Sequence, residues 1–411
     1  MFSSSDVERK EYIMDKVVLA YSGGLDTSYC VKYLINELNL EVHGILVNTG
    51  GFSEEELEVV EKKAYDMGVT SHTNKNILED YYAKAIKYMV YGNVLKNNTY
   101  PLSVSAERVF QSIEVVKYAK SIGAKYIAHG STGAGNDQVR FDMIFQTIAP
   151  EIEILTPIRD LKLSRQVEID YLTKHGVEMN WEKSKYSINK GIWGTSVGGV
   201  ETLKSKEALP ESAYPSQLKR NDEEAVTLTF EKGQLVGFNG VKDTPVNNIL
   251  KLEAIASEFA IGRDTHVGDT IVGIKGRVGF EAAAATVIIK AHHLLEKHTL
   301  SKAQQLTKEP LANTYGTYFH DGQYLEPLMR NIEKFLEDSQ KTVTGDVFVT
   351  LRPYHFMVTG IDSEFDLMSS GFADYGEENN AWSSDDAKGF IKIYGMQNKI
   401  FYHVNKDLLD A

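Results

Sequence analysis

A loop rich in glycine and hydroxyl side chains follows the first apolar run of the sequence. It reads Ala20-Tyr-Ser-Gly-Gly-Leu-Asp-Thr-Ser28 and stands between a predicted strand and a helical pattern. The two glycines allow the backbone to approach a phosphate group closely. The backbone N–H groups at the start of the next helix favour a bound anion, and the hydroxyl groups of the loop add hydrogen-bond donors. The loop therefore predicts a phosphate site.

The loop differs from two common phosphate-binding motifs. No Lys follows its glycines, as one does in phosphoryl-transfer ATPases, and the spacing Gly-x-Gly-x-x-Gly is absent. It resembles the ATP-pyrophosphate loop, which implies that ATP is split into AMP and pyrophosphate. Asp26 is unexpected there, because a carboxylate repels phosphates; we expect it to cap the helix or to act with Mg²⁺. The alternative interpretation is a Gly-Gly turn with an Asp N-cap.

A second polar loop, from His129 to Arg140, follows another predicted strand. Ligands of open α/β sheets bind at the carboxyl ends of the strands. Thr132, Asn136, Asp137 and Arg140 offer a hydroxyl, an amide, a carboxylate and a guanidinium group within nine residues. Because Asp can bind an ammonium group and Arg a carboxylate, this set suits a zwitterionic amino acid. The alternative is a polar surface loop.

Strand and helix patterns alternate over the first 180 or so residues. Such alternation predicts an α/β fold whose parallel strands are joined by right-handed crossovers. The predicted strands are Lys16–Tyr21, Val42–Val47, Val69–Thr73, Lys125–His129 and Ile152–Leu155. Glycines, prolines and serines make residues 188–220 read as a boundary loop.

The pattern beyond that loop is α+β. A β-hairpin is predicted at Val226–Phe230 and Gln234–Phe238, helices near 247–260, 282–300 and 325–338, and strands near Val347–Leu351, His355–Thr359 and Phe390–Tyr394. We expect an N-terminal extension at 1–15, a Rossmann-like nucleotide-binding domain at 16–187, an α+β synthetase and oligomerisation domain at 188–400, and a C-terminal arm at 401–411.

Composition restricts the classes of function. The formal net charge of −13 opposes nucleic-acid binding, because such proteins carry a basic surface. No apolar run of about 18 residues predicts a membrane span. The single cysteine, Cys30, permits no intrachain disulfide and fits a cytoplasmic location. The polar N-terminus does not read as a secretory signal.

Histidines near the end of one predicted helix raise the question of a metal site. His292 and Glu296 are one helical turn apart, but His293 and His298 diverge, and no His-Glu-x-x-His pattern is present. We expect solvated helix histidines and no bound metal.

The two loops, in this order and spacing, resemble those of argininosuccinate synthases. The resemblance runs from Lys16 to about His403. Further matching segments are Tyr100 with Ser105, Tyr186-Ser187 with Ser196, Ile261 to Arg277, and Asp386 to Ile391. It implies an ATP-pyrophosphatase domain of the adenine nucleotide alpha hydrolase type, a cytoplasmic homotetramer, and a divergent bacterial-type subfamily.

The resemblance also implies a reaction in two steps. The ureido oxygen of citrulline attacks the α-phosphate of ATP, and the amino group of aspartate then displaces AMP to give argininosuccinate. ATP is implied to contact Ala20, Tyr21, Ser22, Gly23, Gly24, Leu25, Asp26, Thr27, Ser28, Val47 and Gly130, with Asp26 also the catalytic candidate. Aspartate is implied to contact Thr132, Asn136 and Asp137, and citrulline Tyr100, Ser105, Asn136, Arg140, Ser187, Ser196 and Phe280.

Two positions depart from the family pattern. Gly268 stands where the family usually has a Glu that contacts citrulline, and Phe280 stands where it usually has a Tyr. Loss of a carboxylate and a hydroxyl would leave polar groups of a buried ligand without partners. We hypothesise a rebuilt citrulline pocket that Asp269 or His266 reaches instead.

Other readings of the loop remain open. Thiolating ligases need catalytic cysteines, tRNA-modifying ligases need basic surfaces, and amidotransferases need a glutaminase segment, none of which the sequence favours. A nucleotide-sensing homologue that binds ATP without turnover is the alternative from a different class. Gly268 and Phe280 are the features that favour it.

Overall fold

The apolar run Val17-Val18-Leu19 is fully buried at the centre of a five-stranded parallel sheet. Parallel sheets are covered on both faces, which explains a strand without polar alternation. The sheet has the order β3-β2-β1-β4-β5 and confirms the predicted α/β fold. Its strands are β1 (Lys16–Ala20), β2 (Glu41–Asn48), β3 (Ser71–Asn76), β4 (Tyr126–Ala128) and β5 (Glu153–Leu155).

The computed structural model describes residues 14–177, 186–369, 371 and 380–409. It divides into two compact units, with the boundary between Ser363 and Glu364. The domain boundary expected at 187/188 therefore stays a prediction, and most of the expected extension at 1–15 lies outside the described residues. Among the described residues, no helix is both long and apolar enough to cross a membrane.

Eight helices accompany the parallel sheet among the described residues. A capping box between Ser53 and Glu56 starts the second of them, as its acidic first turn favours. The helical segment at residues 78–91 is interrupted by a π turn at Tyr82–Ile86. The helices are α1 (Leu25–Asn36), α2 (Glu54–Asp66), α3 (Leu78–Tyr81), α4 (Lys87–Tyr91), α5 (Glu107–Ser121), α6 (Asp137–Ile148), α7 (Pro157–Asp160) and α8 (Arg165–Lys174).

Two antiparallel sheets complete the first unit. Their strands are β6 (Ser187–Gly191), β7 (Gly194–Gly198), β8 (Glu224–Glu231), β9 (Gln234–Phe238), β10 (Val241–Lys242), β11 (Arg263–Asp269), β12 (Lys275–Glu281), β13 (Gly345–Arg352) and β14 (His355–Asp362). One sheet has the order β10-β9-β8-β13-β14 and the other β11-β12-β7-β6. The boundary loop expected at 188–220 is therefore wrong in its first part, because β7 pairs with β12, a partner distant in the chain.

Four helices pack in this half of the unit: α9 (Pro245–Ala256), α10 (Ala283–Thr299), α11 (Lys302–His320) and α12 (Pro327–Ser339). The second unit contains α13 (Ser384–Tyr394), α14 (Met396–Val404) and α15 (Lys406–Leu409). The strand predicted at Phe390–Tyr394 is wrong, because these residues lie inside α13. A capping box from Ser383 to Asp386 starts that helix, and the rings of Phe390 and Tyr394 stack one helical turn apart.

The expectation of solvated histidines in α10 is wrong for His292, which is fully buried. Its ring nitrogens contact the side chains of Asn93 at 2.6 Å and Gln340 at 2.8 Å. Both amides also donate to Glu296, which forms an ion pair of 2.7 Å with Lys308. The side chains of that pair are only 3% and 4% exposed, so a buried polar network joins α10 to α11.

Replacement of Lys308 by Met would leave the Glu296 carboxylate buried without its cation. We expect the free energy of unfolding to fall by about 3–5 kcal/mol, the usual cost of breaking a buried pair. Urea titration at a fixed protein concentration measures it. Lys302→Met, at an exposed position of the same helix, is the matched control and should change little. Equal stability of the two variants would contradict a structural role for the pair.

Candidate active site

The phosphate loop connects β1 to α1. Gly23 has φ of +73°, a conformation that favours glycine, and Gly24 occupies the N-cap of α1 without a side-chain capping bond. The hydroxyl of Ser28 donates to the Gly24 carbonyl at 2.7 Å. The expectation that Asp26 caps the helix is therefore wrong, since Asp26 lies inside the first turn.

Asp26 lies beside Glu168 of α8, so each carboxyl group influences the ionisation of the other. Burial raises the pKa of both carboxyl groups, and the neighbouring charge of Asp26 adds to the rise that brings Glu168 to about 8. Two like charges at this distance disfavour the ionised forms. Glu168 is therefore mainly protonated at neutral pH, which lessens the repulsion of phosphates by the pair.

The second loop lies directly against the first. A Cβ atom added to Gly130 would lie 3.2 Å from the carbonyl carbon of Asp26 and 3.3 Å from the backbone nitrogen of Thr27. This contact follows from the sheet, because β4 pairs with β1 in parallel. The loops therefore meet at the point where the strand order reverses, the usual ligand position in such sheets.

Asp137 lies between two guanidinium groups. Arg108 donates to it at 3.0 Å and Arg140 at 2.8 Å. Burial alone would raise the pKa of Asp137, but the two positive charges hold it below its usual value. Arg140 also donates to the backbone carbonyl of His320 at 2.9 Å, and Arg108 to the side chain of Asn189 at 2.9 Å. The carboxylate is thus ionised and able to accept hydrogen bonds from an ammonium group.

An aromatic wall stands near this cluster. The ring of Tyr100 lies 5.1 Å from that of His266 and 5.3 Å from that of Phe280, centroid to centroid. Phe280 is paired in register with Ser196 of β7. The Ser105 hydroxyl is buried and has no hydrogen-bond partner among the described residues. An orphaned buried hydroxyl is what a site for a polar ligand would leave.

The other predicted residues are less closely linked. Asn136 accepts a hydrogen bond of 2.8 Å from the backbone of Ile271, in the turn between β11 and β12. Thr132 is exposed in its loop, and Ser187 is exposed on the edge strand β6. The predicted ATP contacts Ala20, Tyr21, Leu25 and Val47 belong to the apolar core or pack against it.

The departures from the family pattern have different structural outcomes. Asp269 is exposed and forms an ion pair of 2.7 Å with Lys275, so the expectation that it reaches the pocket is wrong. His266, three residues earlier on β11, points to the opposite face and is buried. Of the two candidates, His266 is the one that lies buried beside Tyr100.

Several polar residues of the site escaped the sequence patterns. Arg108 could have been suspected from the sequence, because it lies three residues after Ser105. Glu168 and Lys63 belong to no motif. Lys63 of α2 donates to the Gly23 carbonyl, and burial lowers the pKa of its ammonium group to about 8. The phosphate loop thus has a lysine, although not one that follows its glycines.

Glu107 is a further buried carboxyl group beside the site. It accepts a hydrogen bond of 2.6 Å from Thr49 and contacts Arg108 at 3.0 Å. Burial raises its pKa to about 7 against the opposing effects of Arg108 and Thr49. Its carboxylate also fills space beside Gly191, where an added Cβ would lie 2.2 Å from it.

Comparison with known proteins covers almost the whole chain. The family model described as "Arginosuccinate synthase N-terminal HUP domain" matches residues 16–178, and that described as "Arginosuccinate synthase C-terminal domain" matches residues 186–401. The argininosuccinate synthase of Dictyoglomus turgidum is 36% identical over 393 residues, which cover 94% of this chain and 97% of the relative. That of Pyrococcus furiosus is 38% identical over 397 residues, 95% of each chain.

A third relative is similar over nearly its whole length. The argininosuccinate synthase of Methanocaldococcus jannaschii is 35% identical over 391 residues, or 93% of this chain and 97% of the relative. Both family models and these full-length relatives agree with the two loops and the parallel sheet. The chain therefore belongs to the argininosuccinate synthase family of ATP-dependent ligases.

Proposed function

We propose that the protein joins citrulline to aspartate, with ATP converted to AMP and pyrophosphate through a citrullyl-AMP intermediate. The observation that carries this proposal is the contact of the phosphate loop with the amino-acid loop at Gly130. A nucleotide in the first loop and an amino acid in the second would then share one wall. Family membership supports the same reaction.

In the first step, the ureido oxygen of citrulline attacks the α-phosphate and pyrophosphate leaves. The loop from Ser22 to Ser28 holds the β- and γ-phosphates at the start of α1, where backbone N–H groups favour anions. Lys63 adds a positive charge beside the loop. Tyr100, Ser105, Arg140, Ser187, Ser196 and Phe280 hold citrulline. Orientation of the reactants supplies about 7–11 kcal/mol of the barrier reduction.

In the second step, the amino group of aspartate attacks the activated carbon and AMP leaves. Asp137 binds the ammonium form of aspartate, because its two guanidinium partners keep it ionised. The ammonium group loses one proton to water before the free amine attacks. Thr132 and Asn136 bind the rest of aspartate, and Asn136 also contacts citrulline. Asp137 and Arg140 hydrogen-bond to each other, so the sites of the two amino acids adjoin. Catalysis then depends on the positioning of the reactants and on the stabilisation of developing charge.

Mg²⁺ enters with the nucleotide in this proposal and neutralises phosphate charge. Such ions are commonly held by phosphate oxygens with one or two carboxylates. The described residues contain no group of three or more His, Cys, Asp or Glu side chains suited to a metal. Asp26 fits the role of a single carboxylate beside the phosphates. We also place the reaction in the cytoplasm, on the evidence of the single, buried cysteine.

The test is a mixture of protein, Mg-ATP, citrulline and aspartate in which AMP and pyrophosphate are followed. We expect pyrophosphate release that depends on citrulline, and release of AMP and argininosuccinate that depends on both citrulline and aspartate. Omission of citrulline is the control for uncoupled hydrolysis. Binding of ATP without release under any condition would favour the nucleotide-sensing alternative.

Lys63 allows a prediction about nucleotide affinity. Lys63→Met removes an ammonium group that holds the phosphate loop, so Mg-ATP should bind roughly tenfold more weakly, since charged hydrogen bonds contribute about 1.5–3 kcal/mol. Calorimetry measures the Kd. Lys62→Met, the exposed neighbour on α2, should bind as the native protein does. Native affinity in Lys63→Met would remove this residue from the site.

The second unit supports a homotetramer, which we propose as the state in solution. Apolar side chains of α13 and α14 are exposed, among them Ile393 at 76%. Exposed apolar surfaces of this kind are typical of contacts between chains. A second copy of this chain is the occupant that the family resemblance favours.

Ile393→Glu would place a charge in that contact. We expect light scattering to show a tetramer for the native protein and a smaller species for this variant, because a buried charge without a partner opposes association. Lys392→Glu, an adjacent exposed position already polar, should remain a tetramer. A native monomer at micromolar concentration would contradict the proposal.

A further inference from the structure

Gly268 leaves a space on β11 that His266 occupies. The two residues are separated by one position, so both face the same side of the strand. A Cβ atom at position 268 would lie 2.7 Å from Nε2 of His266 and 3.1 Å from the side chain of Asn97. The imidazole in its present position is therefore incompatible with a larger residue at 268.

The imidazole forms part of the aromatic wall. Its ring stacks on Tyr100 with an interplanar angle of 25°, and Tyr100 in turn contacts Phe280. His266 is only 6% exposed. Phe280 carries no hydroxyl, and position 268 carries no side chain. The polar atoms of the His266 ring are available to replace the hydroxyl and the carboxylate of the family pattern.

One nitrogen of His266 is orphaned. Nδ1 is buried and has no hydrogen-bond partner among the described residues. A buried polar atom without a partner costs about 1–3 kcal/mol, which a bound ligand can recover. Tyr100, on which the ring stacks, is one of the residues proposed to hold citrulline. The orphaned atom thus belongs to the same pocket wall.

The charge state of the ring follows from its surroundings. Burial lowers the pKa of His266 to about 4, and the nearby His320 and Lys96 act in the same direction. The backbone carbonyl of His320 accepts a hydrogen bond from Arg140, so His320 is near both His266 and a residue proposed to hold citrulline. At neutral pH the imidazole is uncharged and has one donor and one acceptor nitrogen.

We propose that His266 is a specificity-determining residue of the citrulline site, where Nδ1 of its imidazole hydrogen-bonds to the amino-acid substrate in place of side chains absent at positions 268 and 280. This inference rests on the proposed function. A single imidazole ring then compensates for the absence of both a carboxylate and a hydroxyl. Nδ1 then gains the partner that the protein itself does not provide.

His266→Phe preserves the stacking on Tyr100 and removes both nitrogens. We expect the KM for citrulline to rise roughly tenfold, while the KM values for ATP and aspartate stay within about twofold. His266→Asn is the matched control, because its amide places a polar atom near the position of Nδ1. It should restore most of the citrulline affinity.

A double substitution tests directly whether His266 replaces the side chain that is absent at position 268. In His266→Ser with Gly268→Glu, the space beside position 268 is open to the larger residue, and the KM for citrulline should return toward the native value. Gly268→Glu alone should raise it, since the new side chain meets the imidazole. If thermal melting shows that His266→Phe is unfolded, His266→Gln is used in its place. Its amide lies near the position of Nε2, so it leaves no polar atom at the position of Nδ1.

The outcomes separate this inference from the proposed function. If the native protein releases no AMP with Mg-ATP, citrulline and aspartate together, the proposed function fails. If the native protein is active and the folded Phe or Gln variant keeps the native KM for citrulline, the assignment of His266 is overturned. Equal increases in the KM of all three substrates would also overturn it, because they would indicate a structural role.

Discussion

Gly130 lies against the backbone of Asp26 and Thr27, and this close approach fixes the distance between the two ligand loops. It arises because β1 and β4 are neighbours in a parallel sheet, so their carboxyl ends meet at one edge. Any side chain at position 130 would separate the loops. The chemistry of the family requires a phosphate and an amino acid side by side, and the sheet provides that arrangement before any ligand binds.

Positively and negatively charged groups are nearly balanced around the contact between the two loops. Asp26 lies beside Glu168, whose pKa is raised, Lys63 lies against the phosphate loop, and Asp137 is held between Arg108 and Arg140. Each carboxylate near the site therefore has a partner that sets its ionisation. The result is a glycine-rich loop at a helix N-terminus beside an ionised carboxylate, at one sheet edge, as the proposed binding of a phosphate and an ammonium group requires.

The sequence predicted those parts of the site that are contiguous in the chain. The phosphate loop, the second loop and the alternation that gives a parallel sheet all depend on local patterns. Glu168 and Lys63 could not be predicted, because only folding brings them to the phosphate loop. The error at Phe390–Tyr394 has the same origin: a short apolar run fits a strand or a helix, and the capping box at Ser383 decides in favour of the helix.

The contact between Glu107 and Gly191 has an evolutionary consequence. The carboxylate occupies the volume that a side chain at position 191 would need. A larger residue at 191 therefore requires that Glu107 move or be exchanged for a smaller residue. Because Glu107 also touches Arg108 and Thr49, such an exchange would alter a neighbour of Asp137 and a residue that follows β2. Divergence at these two positions is therefore expected to begin at Glu107, since a smaller residue there opens the space beside Gly191.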